Sequence, residues 1–434
     1  MHGPCALVTL VLGLAGQERG IALDLAREAF GEAEEAALAD GGKLWGRELL
    51  GPILFADPAT RTVAANQPDE KEQLVEKEGV FVGTLPPDVG IANTATDWAG
   101  VHWTMVAWPL PGDRIARTQL LMHESFHRIQ PGLRHGGGDP LNNHLDSEAG
   151  RIWLRLEFRA LAQALVRRDE PRALALEDAL VFRVRRRALF PGAGAKESTF
   201  ERNEGLAEYT GLRLCGLEGA PLCERAAARL KRDESSASFV RSFAYATGPA
   251  YGILLDELGA DWRPSIDPKA DLAALLAHAV EWKVPSDLAA EAEGRSARYD
   301  ASQVAAAERT RAVERAALDA RNRARFVDGP VLVLPCGGKA NFSFNPNDIT
   351  PLEPLGSVYG TVYLVDDWGV LDVKSEGALL IRNPNGSLQA ARVGAPSDAA
   401  LRPVAGDGWS LTLNQGWTIA PGERAGDWKV VRGK

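Results

Sequence analysis

Residues 120–130 read Leu-Leu-Met-His-Glu-Ser-Phe-His-Arg-Ile-Gln, with His123 and His127 four positions apart and Glu124 directly after the first. On a helix, positions i and i+4 lie one turn apart on one face, so two imidazoles can reach one metal ion. Catalytic Zn²⁺ takes such a pair plus a carboxylate, keeps one position for water, and draws that water's pKa toward neutrality. Glu124 is then placed as a general base. The flanking Leu120, Leu121, Phe126 and Ile129 are apolar, which predicts a core helix rather than a surface one.

A third ligand is offered by residues 203–211, Asn-Glu-Gly-Leu-Ala-Glu-Tyr-Thr-Gly. Glu204 and Glu208 again stand at i and i+4. One carboxylate can bind the metal. The other, a turn later, can accept the N–H of a ligating imidazole and fix its tautomer. Asp146 and Glu148 compete for the third position; their plainer reading is carboxylates favoured at a helix N-terminus.

Together, "HESFH" and "EGLAEY" resemble the gluzincin metallopeptidases, which carry His-Glu-x-x-His on one helix and a Glu, often within Glu-Gly-x-Ala-x-Tyr, on a later one. The resemblance implies one catalytic Zn²⁺ on His123, His127 and Glu204, Glu124 as base, Glu208 behind an imidazole, and a peptide or protein substrate. It also implies a zincin-like module, a small mixed sheet with a mostly helical subdomain. Residues 128–203 separate the two motifs, a longer span than thermolysin-like members use. The helices at about 143–189 would therefore be an insertion.

Residues 243–252, Phe-Ala-Tyr-Ala-Thr-Gly-Pro-Ala-Tyr-Gly, resemble the Tyr-x-x-Gly element of zinc aminopeptidases. That implies Tyr245 as a donor to the oxyanion; the plainer reading is a core tyrosine with a satisfied hydroxyl. Arg241, one turn earlier, would serve the same end or bind a substrate carboxylate. In zincins the strand before the active-site helix is an edge that pairs with extended substrate. Asn93 and Trp103 would then line the cleft, against a plain reading in which Trp103 is core. Two other readings remain: a zinc hydrolase of a non-peptide amide or ester, and a non-catalytic zinc-containing binding protein.

These residues need elements to hold them. Residues 20–50 have helical periodicity, and 50–112 break into strand-like runs divided by Pro, Gly and Asn. Helical patterns dominate 113–328, with loops read at 131–140 and 191–198. From 329 to 434 short β-type runs replace them. The expectation is an α+β chain: a catalytic module over 19–328 and a small all-β sandwich or barrel over 329–434.

The net charge of −9 argues against a nucleic-acid partner. "RVRRR" at 183–187 reads as a solvated helix face near a helix C-terminus. Residues 5–15 have the length of a signal-peptide core and are too short for a membrane span, though no Lys or Arg precedes them. If residues 1–18 act as such a signal, the protein is exported, periplasmic or secreted; otherwise it is cytoplasmic. None of the four cysteines forms a CxxC pair, and Cys215 and Cys223 flank a turn-rich stretch that a disulfide could close after export. No GxSxG elbow, Walker A or dinucleotide motif is present.

Overall fold

A computed structural model describes residues 20–433 apart from 87–88, 338–339, 346–347 and 401. The signal-segment candidate at 1–18 lies outside the described residues. The chain divides into two compact units, 1–309 and 310–434.

The first unit opens with helix α1 (Leu23–Asp40), closed by Gly41 in the left-handed conformation. Six strands follow: β1 (Ile53–Ala56), β2 (Thr62–Ala65), β3 (Val75–Lys77), β4 (Val80–Thr84), β5 (Thr94–Trp98) and β6 (Val101–Ala107). They form one mixed sheet in the order β3-β4-β2-β1-β6-β5, with β1 parallel to β6 and β5 an antiparallel edge. Alternation along the strands builds two cores. Ile53, Phe55 and Val106 face α1 and the next helix, with Phe30 stacked on Phe55 at 4.4 Å. Leu54, Ala56, Trp103 and Met105 fill the opposite face. Trp103 is therefore core, its indole donating to Trp98 O, and the expectation that it lines a cleft is corrected.

Helix α2 (Arg114–Ile129) begins where Asp113 caps it by accepting from Ala116 N. It buries Leu121, Met122 and Phe126, as its apolar positions require. Then come α3 (Glu148–Val166), α4 (Asp169–Leu189) and α5 (Ala193–Phe200). The loop expected at 191–198 is thus mostly helix. A π-helical turn, Glu201–Gly205, joins α5 to α6 (Leu206–Leu214) without a break. Next are α7 (Gly219–Asp233), α8 (Ala244–Glu257), α9 (Leu272–Ala279) and α10 (Leu288–Ser296), and α11 (Ala301–Arg323) runs across the division at 309/310. The stretch after Cys215 is the start of α7 rather than an open turn. Cys215 and Cys223 are buried there as separate thiols.

The arginine run of α4 is the clearest correction. Arg183 and Arg186 are fully buried, with Glu157, Glu197 and Glu201 beside them at 0% exposure. Arg183 donates to Glu157 and Glu201, and Arg186 to Glu157 and Glu197. Arg187, partly buried, reaches Glu197 and Asp271. A guanidinium enters an interior only when acceptors are there to receive it, and here they are carboxylates. Those carboxylates sit on α3, α5 and the π turn, so α4 alone could not reveal them.

The second unit is mostly β. Among the described residues seven strands form one sheet and five another. Leu332, Leu380 and Val393 from the first and Leu364, Leu371 and Leu411 from the second belong to one apolar core. Strand Val362–Asp366 alternates buried and exposed residues, as a sheet with one covered face must. Among the described residues no helix is long and apolar enough to cross a membrane.

Candidate metal centre

Two glycine contacts bring the distant motif back to α2. A Cβ on Gly211 would lie 2.3 Å from Gln119 O, so α6 meets the backbone of α2 there. A Cβ on Gly248 would lie 2.3 Å from Gly205 Cα, so α8 crosses the π turn backbone to backbone. Glu204 lies in that π turn. Its wider turn separates carboxylates three apart, which an α turn would hold on one face. Glu201 can thus enter the buried arginine network while Glu204 faces the histidines.

His123 Nε2 and His127 Nε2 lie 3.2 Å apart. Glu204 Oε2 is 3.7 Å from the first and 3.4 Å from the second. Donors on one tetrahedral Zn²⁺ at about 2.0–2.2 Å stand about 3.3–3.6 Å from each other. The triangle therefore fits such an ion, and these residues form a group able to hold a metal. Asp146 and Glu148 are not in it; Asp146 accepts from Phe239 N, and Glu148 opens α3.

Each imidazole is oriented from behind. His123 Nδ1 meets Glu208 Oε2 at 2.8 Å, and Glu208 Oε1 accepts from Gln119 at 2.8 Å and from Arg229 at 3.0 Å. His127 Nδ1 meets Gln130 Oε1 at 3.0 Å, while Gln130 Nε2 donates to Arg202 O of the π turn at 3.1 Å. Asn203 Nδ2 donates to Glu204 Oε1 at 3.1 Å. Both rings thus turn Nε2 toward Glu204, the arrangement that ligating histidines adopt. Gln119 and Gln130 stand one helical turn from the histidines, a spacing visible in the sequence. Arg229 belongs to α7, a helix not expected above although Leu222, Ala226, Ala227 and Leu230 recur at helical spacing.

The charges follow from burial and pairing. Burial alone would lower His123, but Glu204 and Glu208 outweigh it and hold the ring up at about 10. Burial alone would raise Glu204, but His123 and His127 hold it below the usual carboxylate range. Glu208 is likewise held low, against burial, by His123 and Arg229. Glu124 is different. Burial pushes its carboxyl up, only partly offset by the two histidines. Neither of its oxygens has a hydrogen-bond partner, although Oε1 is 3.9 Å from His123 Nε2. A buried carboxylate without partners needs an occupant beside it or a function.

Tyr245 is also present. Its hydroxyl donates to Glu204 Oε2 at 2.6 Å, and its ring stacks on His123 at 5.9 Å. Arg241 and Asn93 are engaged elsewhere: Arg241 pairs with Asp139 over the ring of Phe200, and Asn93 Oδ1 accepts from Ala107 N at 2.8 Å. Tyr209 is packing, its hydroxyl bonded to Asp256. His144 binds Glu197. No protein-family model matches the chain, and no curated protein or solved structure matches it significantly, so its site is read from its own geometry.

Proposed function

We propose that this chain is a zinc-dependent hydrolase of gluzincin type that cleaves peptide bonds. One observation carries the reading: the three donor atoms of His123, His127 and Glu204 close a metal-sized triangle beside the unpartnered carboxylate of Glu124. Zn²⁺ held by these side chains would supply Lewis-acid polarisation of a carbonyl and acidification of water. Glu124 takes the proton from the attacking water at its carboxylate and delivers it to the leaving amine. Its burial favours that exchange, since an apolar setting brings a carboxylate's basicity nearer to neutrality. Tyr245 directs its hydroxyl into the same space and supports the developing oxyanion. Glu208 and Gln130 hold the two rings in the ligating tautomer. Edge strand β5 offers unpaired backbone groups to an extended chain.

The test is zinc content together with cleavage of a mixed-peptide substrate, with and without chelator, for wild type and Glu124→Gln. Expected are one zinc in both proteins and chelator-sensitive cleavage in wild type alone. Zinc in both with cleavage in neither would leave the non-catalytic reading in place.

A further inference from the structure

We propose that Arg183 is a positioning residue for the candidate metal centre: by gripping Glu201 it sets the phase of the π turn and so aims Glu204 at the two histidines. The inference rests on the zinc reading above.

Arg183 touches none of the candidate ligands. Its Nη1 donates to Glu201 Oε2 at 2.9 Å, and its Nη2 donates to Glu201 Oε1 at 2.5 Å. Its Nε donates to Glu157 Oε1 at 2.7 Å. All three side chains are fully buried. A planar fork on both oxygens fixes the carboxylate's direction as well as its distance, which a point charge cannot do. From the other side, Thr247 of α8 donates its hydroxyl to Glu201 Oε1. Glu201 is therefore held by α4 and α8 at once.

Glu201 opens the π turn and Glu204 lies within it. A π turn is rare, occurs mostly as a single turn inside an α-helix, and often marks a functional site. Return to α phase would swing Glu204 relative to Glu201 and break the triangle with His123 and His127. The Arg183–Glu201 fork opposes that return. The helices between the two sequence motifs then have a definite role, in which α4 supplies the arginine and α3 supplies Glu157, which holds that arginine from behind.

The experiment measures the zinc dissociation constant of the full chain by chelator competition, alongside thermal melting of the metal-free protein. Variants are Glu201→Gln, Arg183→Lys and Glu197→Gln. Glu197 is as buried as Glu201 and bonds Arg186, yet it lies in α5 ahead of the π turn. The expected result is zinc affinity weakened by roughly tenfold or more in Glu201→Gln and Arg183→Lys. Glu197→Gln should melt lower with its zinc affinity unchanged. Wild-type affinity in both Glu201→Gln and Arg183→Lys would overturn the proposal, as would equal weakening in Glu197→Gln. Should wild type bind no zinc, the metal reading and this inference fail together, which separates that outcome from failure of the inference alone.

Discussion

Glu208 Oε2 meets Nδ1 of His123 at 2.8 Å, while Nε2 of the same ring faces Glu204 at 3.7 Å. One side of the imidazole is thus committed and the other is left as a donor to metal. Glu208→Ala should weaken zinc binding by roughly 10–100-fold. Because Gln119 and Arg229 also lose their acceptor, Glu208→Gln should recover part of the loss. Chelator competition on the three proteins checks both statements.

Tyr245 places its hydroxyl 2.6 Å from Glu204 Oε2. Removing an oxyanion donor slows turnover by about 10²–10³-fold. Tyr245→Phe should therefore lower kcat by about that factor with KM and zinc content little changed. Loss of zinc in this variant would instead assign the hydroxyl to support of Glu204.

Gly248 and Gly205 meet without side chains, and a Cβ on Gly248 would lie 2.3 Å from Gly205 Cα. Gly248→Ala must push α8 off the π turn. Overpacking of this kind costs about 1–3 kcal/mol. Urea denaturation should report that loss, and zinc affinity should fall with it because Glu204 moves with its turn.

Glu157 and Glu197 are held below the ordinary carboxyl value of 4.5, against their burial, by the arginines of α4. A depressed folded-state pKa adds stability that is complete above the unfolded value and is lost as pH falls through the folded one. The contribution of these two carboxylates to the melting temperature should thus be level near neutrality and drop increasingly below pH 4.5. Glu197→Gln should melt lower at pH 7 yet show a shallower acid decline. An acid decline as steep as wild type would count against the network as its source.

The metal-centre candidates were legible because their signals are local. His123, Glu124 and His127 share one helix face, and Glu204 with Glu208 share another, so spacing alone grouped each set. Breaks at Pro, Gly and Asn marked the strand-rich stretch for the same reason. What stayed hidden depends on contacts between elements. The π turn at Glu201–Gly205 has no composition of its own; packing of Gly205 on Gly248 and the hold on Glu201 decide it. Arg183 and Arg186 looked like solvated charges because their partners are distant in sequence. The helix Gly219–Asp233 opens Gly-Ala-Pro, which reads as a turn, yet Leu222, Ala226, Ala227 and Leu230 recur at helical spacing beyond it.

The buried or nearly buried charges of Arg183, Arg186 and Arg187 are met by those of Glu157, Glu197, Glu201 and Asp271. Losing one leaves an opposite charge stranded away from water, a larger loss than removing both together. In descent these positions therefore behave as a single character. Chains that differ here should differ by matched pairs, an arginine and a carboxylate exchanged together for apolar residues, while lone changes are purged.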